Sequence, residues 1–152
     1  MSQSLNVGAA FVQRKLGNKL FTEYMYGFGV NLKTGIDLPN EGRNLTNGLD
    51  SPRDIEHVTA SFGQGIALTP ITTIRALATV ANGGFLVNPH VVKSLDYAVG
   101  LPKKTPIDQN KRVIKQSTSV EVSRMMTYSV DHVLSNGTLR IPNYSVAAKT
   151  GT

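Results

Sequence analysis

Near the start of the chain, Ala9, Ala10, Val12, Leu16 and Leu20 fall at helical spacing and predict a first helix, with Gly17 its weak point. Ser4 or Asn6 is placed to cap it, because either side chain can accept from free N–H groups one turn on. A second short helix is predicted from Thr22 to the turn at Gly27-Phe28-Gly29. From Val30 to Asp54 the pattern breaks at Gly35, Pro39-Asn40, Gly42, Asn47-Gly48 and Ser51-Pro52, which reads as loops with at most short strands. The clearest helix follows, with Thr69 as cap and Pro70 at the first helical position, where a missing N–H costs nothing. Ile71, Ile74, Leu77, Ala78 and Ala81 give it one apolar face, and Asn82-Gly83-Gly84 ends it.

Phe85-Leu86-Val87 and His90-Val91-Val92 look extended, interrupted by Asn88-Pro89. Asp96 to Gln116 is polar and basic and reads as a surface excursion. A last helix is predicted from a capping box, Thr118-Ser119-Val120-Glu121. Its inward positions are Val122, Met125, Met126, Ser129, Val130 and Val133, with the paired methionines as core filler. Asn136-Gly137 ends it, and the small apolar run Tyr144-Ser145-Val146-Ala147-Ala148 suits a strand. Three Asn-x-Ser/Thr sites, at Asn44, Asn136 and Asn143, read as turn chemistry.

Composition narrows the class. At 152 residues, with 40% hydrophobic and 17% charged side chains, the chain is one globular domain or a piece of one. The +6 net charge is modest and its basic residues are scattered, with adjacent pairs at Lys103-Lys104 and Lys111-Arg112. The aromatics cluster elsewhere, at Phe21, Tyr24, Tyr26 and Phe28, so no nucleic-acid partner is expected and the basic loop reads as solvated surface. Without cysteine there are no disulfides or thiolate metal sites. His57, His90 and His132 lack metal-ligand spacing and are read as packed or exposed imidazoles. No metal or cofactor is expected, and no apolar run approaches the roughly 18–20 residues that cross a bilayer.

The chemistry concentrates at the last four residues, Lys149-Thr150-Gly151-Thr152. An ammonium, two hydroxyls and a glycine that lets a ligand approach the backbone form a sensible receptor for a carboxylate. Taken alone, the same four residues also fit a polar tail with a solvated lysine.

Other segments carry a resemblance. Ser4-Leu5-Asn6 has the Ser-x-Asn form and Lys149-Thr150-Gly151 the Lys-Thr-Gly form of penicillin-binding proteins and serine β-lactamases, in the expected order. Between them, Phe62-Gly63-Gln64-Gly65-Ile66-Ala67-Leu68-Thr69-Pro70 resembles the segment opening a buried helix in class B, high-molecular-weight penicillin-binding proteins. Ala78-Thr79-Val80-Ala81-Asn82-Gly83-Gly84, Asn88-Pro89-His90-Val91-Val92, Gly27-Phe28-Gly29 and Thr34-Gly35-Ile36-Asp37-Leu38-Pro39 continue it. One feature departs from the pattern. The family's nucleophile lies in a Ser-x-x-Lys motif upstream of Ser-x-Asn, and no such motif precedes Ser4; Ser119 is followed three residues on by Val122, and Ser123 by Met126.

The resemblance implies an α+β fold, helix-rich, with the Lys-Thr-Gly motif on a strand of an antiparallel sheet at the C-terminus. Residues 1–152 are then expected to be an internal part of a transpeptidase domain, with the nucleophile upstream and further strands downstream. It also implies acyl transfer on peptidoglycan stem peptides, inhibition by β-lactams, and a parent anchored in the bacterial cytoplasmic membrane with this domain outside, among cell-wall synthesis partners. Ser4 would join a proton relay and Asn6 would orient substrate and lysine. Lys149 would supply positive potential, and Thr150, Gly151 and Thr152 would hold the carboxylate, with the Thr152 N–H an oxyanion donor. Alternatives are a β-lactam sensor domain, a D,D-carboxypeptidase or β-lactamase-type hydrolase, and a non-catalytic remnant.

Overall fold

A computed structural model describes residues 2–107 and 111–151. Five α-helices run through it: α1 Asn6–Leu16, α2 Asn18–Gly27, α3 Asp54–Ala60, α4 Pro70–Ala81 and α5 Gln116–His132. Four two-residue strands pair antiparallel. β1 (Phe85–Leu86) meets β4 (Lys111–Arg112), and β2 (Ser94–Leu95) meets β3 (Lys103–Lys104). Single 3-10 turns lie at Asn47–Asp50 and Leu134–Gly137. Helices with small antiparallel pairings make this the expected α+β arrangement.

The core gathers where α2, α3 and the loop between them meet. Val30, Leu49 and Ala60 are buried, and Phe21, Met25, Tyr26, Phe28, Ile66 and Leu68 pack on them. His57 is buried there with Nε2 facing Leu49 O at 3.1 Å and Nδ1 facing Arg53 O at 3.3 Å. It is a packed imidazole, one of the two states open from sequence.

Several local expectations change. Gly17, at φ 79°, divides the first predicted helix, so Leu20 lies on α2, which starts at Asn18 instead of Thr22. Leu5 occupies the α1 cap position with no side-chain bond, and neither Ser4 nor Asn6 caps the helix. The one buried residue of α1 is Gln13, whose Nε2 donates to Asn18 Oδ1 at 2.7 Å and ties the two helices together. Helix α3 falls where no element was expected. Asp54 and Glu56 in its first turn suit the positive end of the helix dipole, but seven residues are too few to show a clear period.

Helix α4 forms as predicted, and Thr69 Oγ1 accepts from the Thr72 N–H. Its orientation is the reverse of the expected one. Thr72, Arg75 and Thr79 are buried, whereas Ile74 and Leu77 are exposed. The cause is a polar interior. Asn44 Nδ2 donates to Val30 O at 2.8 Å and to Thr72 Oγ1 at 3.1 Å, and Asn44 Oδ1 accepts from the Thr69 N–H at 2.8 Å. Arg75 Nη2 donates to Gly29 O at 2.8 Å. Asn44 is thus a half-buried junction, not simple turn chemistry; Asn136 and Asn143, at φ 55° and 67°, do sit in turn conformations.

Helix α5 starts two residues before the predicted box and has no side-chain cap. Ser119 instead donates to Val80 O at 2.5 Å and locks α5 against α4. His90-Val91-Val92 is not a strand, because the Val91 and Val92 N–H groups donate to the Asp37 carboxylate at 2.7 and 2.9 Å. Residues 144–151 are not a strand either, so the Lys149-Thr150-Gly151 motif does not lie on the expected C-terminal strand; no neighbouring strand lies beside it among the described residues.

Candidate functional site

The two ends of the chain meet. Helix α1 begins two residues after Ser4, which adopts a left-handed conformation at φ 50° that is costly for a residue with a side chain. From there Ser4 Oγ accepts a hydrogen bond from Lys149 Nζ at 2.5 Å, across 145 residues of sequence. Lys149 Nζ also donates to Thr150 O at 2.8 Å and to Thr150 Oγ1 at 3.3 Å. An ammonium has three hydrogens, so this set occupies all of them.

These contacts close one side of a cleft of about 930 Å³. Its polar lining includes Ser4, Asn6, Lys149 and Thr150, with Gly151 leaving the backbone open, and Leu5, Val12, Leu16 and Phe21 supply an apolar floor. An apolar basin with a few convergent polar groups is the usual form of a small-ligand site. Five of the six residues singled out from sequence (Ser4, Asn6, Lys149, Thr150 and Gly151) share this cleft. Thr152, the sixth, lies outside the described residues.

The hydrogen-bond pattern orients the hydroxyls. Ser4 Oγ and Thr150 Oγ1 each accept from the lysine, so each keeps its own proton to donate elsewhere. The site therefore combines one fixed cation with two hydroxyl donors.

Sequence reasoning missed the opposite wall. Ser61, Phe62 and Gly63 line the cleft just after α3, as does the buried Gln13. Phe62-Gly63 stood out in the sequence only as the lead into α4. Its position in the cleft follows from α3, which turns the chain back toward α1 before α4 begins. Among the described residues no helix is long and apolar enough to cross a membrane, and no group of three or more His, Cys, Asp or Glu is placed to hold a metal ion.

Comparison with known proteins places the chain in a family. The family model for the penicillin binding protein transpeptidase domain matches residues 1–152. Stage V sporulation protein D of Bacillus subtilis is 34% identical over 155 residues, covering 100% of this chain and 24% of the relative. A peptidoglycan D,D-transpeptidase FtsI homolog of Mesostigma viride is 28% identical, covering 100% of this chain and 28% of its own length. Among solved structures, penicillin binding protein 2X from Streptococcus thermophilus superposes with a TM-score of 0.85 at 23% identity, over 99% of this chain and 23% of that one, and shares the fold. The chain spans about a quarter of the length of these relatives. It belongs to the penicillin-binding protein transpeptidase domain family.

Proposed function

We propose that this chain supplies two of the catalytic motifs of a serine D,D-transpeptidase that cross-links peptidoglycan stem peptides and is acylated by β-lactams. The observation that carries the reading is the Lys149 Nζ–Ser4 Oγ hydrogen bond at the mouth of the cleft, which joins the Ser-x-Asn and Lys-Thr-Gly motifs. Residues 1–152 are read as an internal part of the domain, with the Ser-x-x-Lys nucleophile on upstream sequence and further sheet strands downstream. The full-length protein would be held at the cytoplasmic membrane with this domain on its outer face, among other cell-wall synthesis proteins.

The chemistry follows from the donors. The upstream serine attacks the carbonyl carbon of the penultimate D-alanine, and the terminal D-alanine leaves as the amine. An amino group of a second stem then attacks the ester and releases the serine. Ser4 accepts from Lys149 and so keeps its hydroxyl proton, which is read as the one passed to and from the lysine of the upstream motif. Asn6, at the first position of α1, offers its amide to the substrate backbone. Lys149 adds a positive potential that holds the substrate's terminal carboxylate, and the free Thr150 proton donates to it. The Thr152 N–H is assigned to the oxyanion formed in each attack.

A fluorescent penicillin tests the reading. The full-length protein should be labelled covalently, and the 152-residue chain alone should not, because it carries no Ser-x-x-Lys upstream of Ser4. Active-site labelling of the isolated chain, or none of the full-length protein, would contradict it.

A further inference from the structure

After α4 the chain makes an excursion that acyl transfer does not use. It leaves through β1 and returns through β4, and farther out β2 pairs with β3. The two pairings are separate two-stranded sheets, with β1/β4 at the root of the excursion and β2/β3 as its outer hairpin. None of the residues lining the cleft comes from it.

The outer hairpin, Ser94 to Lys104, has an unusual surface. Leu95 and Tyr97 are about half exposed, while Val99 at 92% and Leu101 at 88% are the most exposed large apolar side chains among the described residues. Single exposed apolar residues need no explanation, but here they crowd one projecting tip. Directly behind the tip stand Lys93, Lys103 and Lys104, and nearer the root Lys111 and Arg112, all exposed.

We infer that this hairpin docks on an anionic phospholipid surface, with Tyr97, Val99 and Leu101 entering the boundary between headgroups and acyl chains and Lys93, Lys103 and Lys104 meeting the lipid phosphates. Aliphatic and aromatic side chains backed by flexible cations are the composition that partitions into that boundary, because the stems stay apolar while the ammonium groups reach the headgroups. Charge type favours lipid over a protein partner. Four of the five cations on the ribbon are lysines, point charges suited to a diffuse negative potential, whereas paired carboxylates on a protein are better met by the guanidinium fork. The inference is independent of the acyl-transfer reading.

The chain has no cysteine, so Val99→Cys provides a single attachment point here for a polarity-sensitive dye, any cysteine elsewhere in the full-length protein being replaced. Glu23→Cys, at an exposed polar position of α2, serves as the comparison site. The full-length protein is reconstituted in vesicles of mixed phosphatidylglycerol and phosphatidylcholine or of phosphatidylcholine alone. The inference predicts a blue shift and quenching by lipid-bound quenchers at position 99 only, on anionic vesicles only, reversed by salt. Lys103→Gln with Lys104→Gln should weaken that docking about 30-fold, roughly fivefold per lysine. Salt reversal in the unsubstituted hairpin tests the same charge effect if that variant misfolds. No shift at position 99, an equal shift on phosphatidylcholine, or equal shifts at positions 23 and 99 would overturn it.

Discussion

Lys149, Asn44 and Gly29 are single side chains or backbones on which several partners depend. Lys149 spends its three hydrogens on Ser4 and Thr150, so under the proposed mechanism Thr150 delivers a proton that the lysine has oriented. Thr150→Val keeps the shape and removes that proton. It should slow penicillin acylation of the full-length protein about 10- to 100-fold, the range for a hydrogen bond to a charged group, as read by stopped-flow labelling. Asn44→Ala should cost about 2–3 kcal/mol in denaturant unfolding of the full-length protein, because the Thr69 N–H and Val30 O lose their partner inside the molecule. Gly29 sits at φ 73° with its missing Cβ directed at the Arg75 guanidinium, so Gly29→Ala combines backbone strain with displacement of a buried cation. A loss of about 2–3 kcal/mol is expected, and an unchanged midpoint would contradict that packing.

At the scale of elements, α4 and the loop before α5 show how far local pattern carries. The Thr69-Pro70 start of α4 was legible because capping is local chemistry, and Thr69→Ala should cost about 1 kcal/mol by the same unfolding measurement. The direction α4 faces was not legible. Its apolar positions suggested one interior, but Asn44 and Gly29 reach it from distant loops and draw Thr72 and Arg75 inward. Likewise Val91 and Val92 have strand-forming side chains, yet their N–H groups are taken by Asp37, 54 and 55 positions away in sequence. Those two hydrogen bonds hold the Asp37 carboxyl below its ordinary pKa, with a smaller contribution from His90. A lowered folded-state pKa means the stabilisation is complete above the unfolded value of about 4 and is lost as pH falls through the folded value. Hydrogen exchange at Val91 and Val92 should therefore lose protection below about pH 4, and Asp37→Asn should weaken it at neutral pH. Protection that is flat through that range would remove Asp37 as the anchor.

For the whole molecule, the exposed apolar side chains are the informative feature. Val7 and Phe11 on α1, Ile74 and Leu77 on α4, and Val120 on α5 all face outward. Hydrophobic faces left without partners are costly, and in the proposed reading the rest of the transpeptidase domain covers them. The 152-residue chain alone should then bind a hydrophobic dye and melt without a sharp transition by circular dichroism; a cooperative melt with little dye binding would count against it. The same logic explains why the predicted Tyr144-to-Ala148 strand is unpaired, since a strand exists only beside another. The site was legible even so, because its motifs are short and their chemistry is carried by side-chain type, whereas the Phe62 wall depended on a fold that local pattern does not contain.

The most direct test is a double-mutant cycle on penicillin acylation of the full-length protein with Ser4→Ala, Lys149→Ala and the pair together. If the two motifs act as one unit through the Lys149–Ser4 hydrogen bond, the double variant will be hardly slower than the slower single variant. If the two losses multiply as independent factors, the shared cleft is not the working site.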